Sequence, residues 1–476
     1  DNGTFLDKFK VKSALPDVLQ KILKFVKLLA KKPKSDNLSE VVRALQDLYE
    51  AVNRDFRANG AEFIESQHAS GRKLMFDSDT IVIPDATTDA PFFRQLNRFI
   101  TILETKDSGI DIPKNIEAQR RITFFSNSLF MNMPPGPPVE KMLGFSVLTP
   151  YYNENVIYSK KDLEVMNEDG IAILYYLKTL FNDEWQNFVE RMEHKLRDKG
   201  AKTLGKEKFE KELWDLEGAL QIRLWASYRG QTLSRTVRGM MYYHKALKVL
   251  SYLDGASMHD IQHGRELLSA LSTNREDGTG DVARIEALSQ QEAISDMKFT
   301  YVVTCQIYGA QKEKNKVQAQ DIFFLMKSHP GLRIAYVDEV TINKDSNSKQ
   351  YFSVLVKYDT QLEREVEIYR IQLPGPLKLG EGKPENQNHA IIFTRGDAVQ
   401  TIDMNQDNYF EEALKARNLL QEFTVHHGLR RPQILGVREH VFTGSVSSLA
   451  SFMSAQETSF VTLGQRVLAN PLKVRM

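Results

Sequence analysis

Hydrophobic positions near the start of the chain recur at helical spacing. Leu15, Leu19, Ile22, Leu23, Val26 and Leu29 share one face, and Lys21, Lys24, Lys27, Lys31 and Lys32 lie elsewhere. Two uses fit such a basic amphipathic helix: lying on an anionic membrane surface, or packing within its own domain. Residues 37–54 and 91–104 repeat the pattern, so 12–110 reads as helical until Pro113 breaks it. The run MPPGPP at 133–138 predicts an extended linker or turn, because proline fixes φ and removes a donor. An apolar run at 145–148 predicts a strand delivering Tyr151, Tyr152 and Glu154 to its C-terminal end. Residues 161–252 return to helical spacing, with Trp185, Trp214 and Trp225 as packing anchors, and DGTGD at 277–281 predicts a loop.

From Asp296 the period shortens. Strands are predicted at 299–308 and 333–337 with a helix between them at 319–327. Residues 351–357 and 366–373 form a hairpin pair around the charged turn at 359–363. Two more strands are predicted at 390–393 and 399–402. A helix follows at 411–423, with Asn408 and Glu411 at capping-box spacing. Alternation of strands and helices predicts an α/β sheet domain.

Composition narrows the function. With 476 residues the chain is long enough for two or three domains. Its 63 basic and 62 acidic side chains give a net charge of +1, which argues against a dedicated nucleic-acid binder. The single cysteine, Cys305, lies in an apolar run and reads as a buried structural thiol in a cytosolic protein. No apolar run reaches the roughly 18–20 residues that span a bilayer. The chain begins at Asp1, as a piece of a longer protein would.

Acid and amide groups crowd after the 399–402 strand: Asp403, Asn405, Gln406, Asp407 and Asn408. Carboxylates at a strand end just before a helix lie where α/β proteins bind ligands. Asp403 with Asn405 and Asp407 is an imperfect Asp-x-Asp element for Mg²⁺ or Mn²⁺, hard cations that take oxygen ligands. Asp407 and Asn408 fit helix capping equally well. Lys383 and Asn386 precede the 390–393 run in a Gly/Pro-rich loop. There a lysine meets phosphate as a point charge and an amide orients a hydroxyl, although most such lysines are simply solvated. Arg229, Arg235 and Arg238 form either an anion clamp or a structural cluster. His426 and His427 make a poor metal site, since adjacent side chains diverge.

Several long blocks share one resemblance. RRITFFSNSLFMNMPPGPPVEKMLGFSVLTPYYNE (120–154), YRGQTLSRTVRGMMYY (228–243), FTYVVTCQIYGA (299–310), RIAYVDE (333–339), the 383–420 segment and FVTLGQR (460–466) resemble the β-1,3-glucan synthases, and within them the plant callose synthases. The resemblance is dense from about 118 onward and looser before it.

It implies a mixed GT-A-like glycosyltransferase sheet over 118–476, incomplete at its C-terminus, with a helical insertion at about 160–295 and a helical region at 1–117. It also implies transfer of glucose from UDP-glucose to a growing β-1,3-glucan chain with inversion. Asp403, Lys383 and Glu154 are the implied catalytic residues, and Asp403 the metal ligand. Asn386, Asp338, Arg229 and Arg235 are the implied substrate contacts, with Asp338 ending the strand IAYVD. The setting would be the cytosolic face of the plasma membrane, with the rest of a membrane-spanning synthase and regulatory subunits as partners. The family pattern continues past Met476 to the acid expected to act as general base, for which Glu439 is a weak substitute. The chain alone is therefore expected to bind UDP-glucose and make little glucan. The alternative is a non-catalytic scaffolding segment of the same complex.

Overall fold

The computed structural model describes residues 8–31, 38–71 without 58, 76, 90–104, 115, 117–119, 121–122, 133–198 without 153, 209, 213–214, 218–256, 282–377 without 344–347, 382–425 without 405, 431–435, 456 and 459. The predicted 277–281 loop and residues Asn405, His426, His427 and Glu439 lie outside them.

Helices α1 (Lys8–Ala30), α2 (Leu38–Phe56), α3 (Gly60–Ala69) and α4 (Ala90–Glu104) build the N-terminal region. The apolar face of α1 is taken by its neighbours. Val18, with Leu15 and Ile22, packs on Ala51 and Phe56 of α2, and Val26 packs on Phe93 and Leu96 of α4. This is the within-domain use, and it leaves Lys24, Lys27 and Lys31 exposed.

The sheet begins with β1 (Phe145–Pro150). The described helices α5 (Lys160–Glu164), α6 (Ile173–Leu180), α7 (Asn182–Asp198) and α8 (Gly218–Ser227) follow. They share a core of Leu163, Leu177, Phe181, Trp185, Phe188, Ile222 and Trp225, with the rings of Trp185 and Trp225 edge-to-face at 4.9 Å. Ser159 starts α5 by a reciprocal exchange with Asp162. Next come α9 (Leu233–Gly255), α10 (Val282–Lys298), β2 (Phe299–Thr304), α11 (Tyr308–Glu313), α12 (Val317–Ser328) and β3 (Leu332–Asn343). Then follow β4 (Ser348–Asp359), β5 (Arg364–Leu373), α13 (Lys383–Asn388), β6 (Ala398–Thr401), α14 (Phe410–Ala413) and α15 (Ala416–Gln421).

The described strands form one sheet in the order β5-β4-β3-β2-β1-β6, parallel from β3 to β6 and antiparallel through β4 and β5. Side chains alternate between two cores. Phe145, Val147, Tyr301, Val303, Ile334 and Val356 face α9 and α12, and Leu148, Val302, Ala335 and Leu355 face Ala390 and Phe393. Burial on both faces explains why the central strands read as unbroken apolar runs. Cys305 is fully buried, and burial pushes its thiol pKa up, so it packs rather than reacts.

Three local expectations are corrected. Residues 390–393 are not a strand. Lys383 and Asn386 lie on α13, and Ile391–Phe393 forms a 3-10 turn. Ala390 and Phe393, three apart, enter the core while Ile391 and Ile392 stay exposed, which is helical rather than alternating spacing. The 411–423 helix is broken into α14 and α15, and the N-terminal exchange is made by Tyr409 N–H and the Glu412 carboxylate at 3.0 Å. β3 does not end at Val337 but continues to Asn343 beside β4, so Asp338 is within a strand.

Candidate active site at the carboxyl edge of the sheet

The crossover after β1 leads to β2 on one side, while β6 joins β1 on the other. Ligands of open α/β sheets bind in the crevice outside strand ends at such a reversal. The Ile402 N–H donates to Leu148 O at 3.0 Å, so β6 delivers Asp403 beside the end of β1. Ile402 and Met404 are buried in the core, which leaves the intervening Asp403 pointing outward. After β1, the Tyr151 hydroxyl donates to Glu154 O at 2.9 Å and sets the turn that carries Glu154.

Helix α13 crosses these strand ends. Asn386, 2% exposed, donates from Nδ2 to Tyr151 O at 2.7 Å and accepts at Oδ1 from Gln306 N–H at 3.1 Å. Its amide joins the ends of β1 and β2. At the other end of the helix, His389 Nδ1 lies 2.7 Å from Ser353 Oγ. Together these anchors set Lys383, the first residue of α13, with Nζ 2.5 Å from Asp403 Oδ1. Hydrogen bonding to Asp403 raises the Lys383 ammonium above the usual lysine range. Both side chains are more than half exposed and open to a ligand.

The Tyr152 hydroxyl has Lys383, Asp403 and Glu154 as its charged neighbours. Burial raises its pKa, Lys383 opposes that rise, and Asp403 and Glu154 add to it. The phenol oxygen is buried and has no hydrogen-bond partner among the described residues. The structure thus pairs Lys383 with Asp403 and sets Tyr152 within electrostatic reach of both and of Glu154, while Asn386 ties together the ends of β1 and β2. Tyr152 is the residue sequence reasoning left without a role. The signal was its position, directly after Tyr151 and so turned to the opposite side of the strand end.

The other candidates lie in different surroundings. Arg229 stacks over Trp225 at 4.4 Å and donates to Trp225 O at 3.0 Å, and burial lowers its pKa to about 10. It packs against the aromatic rings of Trp225 and Phe181. Arg235 and Arg238 are taken up by Asp407, at 3.2 and 3.4 Å. Asp338 binds Arg370 of β5 at 2.7 Å, and Arg370 also holds Glu367.

For a divalent cation, Asp403 offers an exposed carboxylate, while Asp407 is already neutralised by two guanidinium groups. Among the described residues no three His, Cys, Asp or Glu gather as a metal cage. The donor set fits a Mg²⁺ or Mn²⁺ with one protein carboxylate and the remaining ligands from a diphosphate and water, a common arrangement for Mg²⁺.

His389 carries a pH prediction. Burial lowers its pKa from 6.5 to about 4, so the folded protein holds it neutral. Below pH 6.5 the unfolded chain binds the extra proton, so this contribution is full above 6.5 and lost as pH falls toward 4. The loss amounts to about 3 kcal/mol at roughly 1.4 kcal/mol per pKa unit. Melting curves between pH 7 and 4 are expected to fall less steeply for His389→Gln than for the parent. Parallel curves would show that His389 does not titrate with unfolding.

The fold and site define an α/β protein with a cationic and acidic pair at the carboxyl edge of a mixed sheet. Residues 111–476 match the family described as 1,3-beta-glucan synthase component, and residues 1–104 match the Callose synthase 1 domain. The chain belongs to the 1,3-beta-glucan synthase component family. It is 55% identical to Callose synthase 12 of Arabidopsis thaliana over 496 residues, covering 99% of this chain and 27% of that protein. Callose synthase 11 of Arabidopsis thaliana is 53% identical over 460 residues, 92% of this chain and 25% of the relative. Callose synthase 3 of the same plant is 49% identical over 502 residues, 100% and 25% respectively. The chain spans about a quarter of the length of these relatives.

Proposed function

We propose that this chain forms the donor-binding part of a UDP-glucose-dependent 1,3-β-glucan synthase, on a GT-A-like sheet at the cytosolic face of the plasma membrane. The observation that carries the reading is the Lys383–Asp403 pair at the β1/β6 edge, with Tyr152 and Glu154 beside it. Among the described residues no helix is long and apolar enough to cross a membrane. The rest of the synthase and any regulatory subunits supply the membrane part.

In the proposed reaction the 3-hydroxyl oxygen of the glucan end attacks glucose C1 as the bond to the β-phosphate breaks. Configuration inverts, UDP leaves with the bonding electrons, and the hydroxyl proton passes to a base. Lys383 meets the charge that grows on the leaving diphosphate. Asp403 orients Lys383 and is the residue that would hold Mg²⁺ or Mn²⁺, which would add positive charge against the same diphosphate. Glu154 faces the sugar hydroxyls, and Asn386 holds α13 so that Lys383 stays at the strand ends.

Calorimetric titration of the full-length protein with UDP-glucose tests the reading. Saturable binding is expected; a folded protein that binds none would favour the scaffolding alternative. Tyr152→Phe tests the phenol. Its hydroxyl has no hydrogen-bond partner among the described residues, so its loss costs the fold little. If it bonds the nucleotide sugar, affinity should fall about tenfold, equivalent to roughly 1.4 kcal/mol, with melting unchanged. Unaltered affinity would remove Tyr152 from the ligand's contacts.

A further inference from the structure

The segment carrying Asp403 is held from one side by the first two turns of α9. Arg235 Nε lies 3.2 Å from Asp407 Oδ2 and Arg238 Nη2 lies 3.4 Å from Asp407 Oδ1. The Asp407 side chain is 9% exposed between them. Burial is the largest influence on Arg238 and works against its charge, but the Asp407 carboxylate together with Tyr242, Glu117 and Tyr228 outweighs it and raises its pKa. Thr236, between the two arginines, donates its hydroxyl to Gln406 O at 3.0 Å and is also bonded to Met404 O. One turn on, a Cβ at Gly239 would meet Asn408 N at 2.8 Å, so helix and segment touch backbone to backbone. The rings of Tyr242 and Phe410 then pack edge-on at 6.3 Å. Positions 235, 236, 238, 239 and 242 fall on adjoining faces of one helix, all turned toward residues 404 and 406–410.

We propose that Arg235, Thr236 and Arg238 are positioning residues that place the Asp403 carboxylate against Lys383, and that they do not bind the ligand's phosphates. The inference rests on the donor-site reading above. Its physical basis is the cost of loosening the clasp. A buried carboxylate that loses one of two guanidinium partners is left incompletely compensated. The segment must then shift to bring Asp407 to water. Asp403 lies four residues away, and the clasp reaches its immediate neighbour through the Thr236 bond to Met404 O, while Ile402 on the other side is held to β1.

The test uses the full-length protein with Arg238→Gln, Asp403→Ala and both together, each titrated with UDP-glucose and each melted. Arg238→Gln is expected to weaken binding about tenfold, and Asp403→Ala to weaken it at least as much. The double variant should be no weaker than Asp403→Ala alone, because an effect carried by Asp403 disappears with it. Additive losses would show that Arg238 touches the ligand directly and would overturn the proposal. So would full affinity in Arg238→Gln. If Arg238→Gln does not fold, Thr236→Val, which keeps the side chain's shape and removes the hydroxyl, enters the same cycle with the same outcomes. A structure of the Arg238→Gln protein gives a readout that needs no nucleotide. Lys383 and Asp403 should part beyond the roughly 4 Å reach of an ion pair, and an intact pair would overturn the clasp. A parent protein that binds no UDP-glucose would sink the donor-site reading, and the separation of that pair would still judge the clasp.

Discussion

Lys383→Ala in the full-length protein is expected to lower glucan synthesis from UDP-glucose by roughly 10²–10³-fold, the loss typical when one preorganised charge-stabilising group is removed. Melting should barely change. The Lys383–Asp403 pair is exposed by 52% and 63% of its side chains, and exposed ion pairs contribute about 0–1 kcal/mol to folding. The same ammonium is worth far more once a nucleotide sugar covers it and a diphosphate takes on charge beside it. Because that charge grows as the C1–O bond breaks, the loss should fall mainly on kcat. Lys383→Arg should recover a part, since a planar guanidinium on a longer stem cannot reproduce a compact point charge. Asp403→Ala should abolish the dependence of UDP-glucose binding on divalent cation. Steady-state rates and calorimetry on the three variants decide the matter. Wild-type turnover in Lys383→Ala would reduce the pair to a surface contact.

Much of the sheet was legible because its physics is local. Strands β1, β2 and the start of β3 bury both faces and show as apolar runs. The β4–β5 hairpin shows by its charged turn, which is closed by Asp359 accepting from Gln361 and Leu362 N–H. The 390–393 run was read as a strand because a four-residue apolar run fits strand and helical turn alike, and α13 before it was read as a loop. The better signal lay upstream, in Gly382 followed by Lys383, Pro384 and Glu385. Proline suits a first turn, and the Glu385 carboxylate accepts from Gly382 N–H at 3.0 Å. The far end of β3 was missed because beyond Val337 it pairs in an arm that leaves Val340 and Ile342 exposed, so no buried face marks it.

The site was legible where resemblance carried it and obscure where partners are distant. Nothing near Asn386 in sequence shows that its amide will bond Tyr151, 235 residues earlier. Nor does anything near Asp407 show that Arg238, 169 residues earlier, will neutralise it. An arginine cluster beside an acidic turn reads equally as an anion clamp or as a clasp on that turn. In the structure Arg235 and Arg238 lie against Asp407, and Arg229 stacks on Trp225.

The turn that sets β6 in register is expected to be the most sensitive point of the described fold, and Gly396→Ala probes it. Gly396 has φ +91°, a left-handed conformation that costs an L-residue with a Cβ roughly 1–2 kcal/mol. A Cβ there would sit 2.4 Å from Gly144 C and 2.5 Å from Gly144 O, backbone atoms that cannot rotate away. Overpacking of this kind costs about 1–3 kcal/mol more, so a loss of about 2–5 kcal/mol is expected. The contact cannot be relieved cheaply because both flanks are pinned. Arg395 N–H donates to Ser146 Oγ at 2.8 Å, and Asp397 N–H donates to Gly144 O at 2.7 Å. Shifting the turn would slide the Phe145–Ala398 pairing and carry Asp403 away from Lys383 and Tyr152. Gly396→Ala should therefore melt well below the parent and lose UDP-glucose binding together with protection of the β1 and β6 amides from hydrogen exchange. Gly144→Ala is the control. Its Cβ would lie 3.2 Å from Gly396 Cα with no left-handed backbone to maintain, so its loss should be clearly smaller. If Gly396→Ala melts with the parent and keeps its amide protection, the Gly144–Gly396 contact is not what fixes the register of β6.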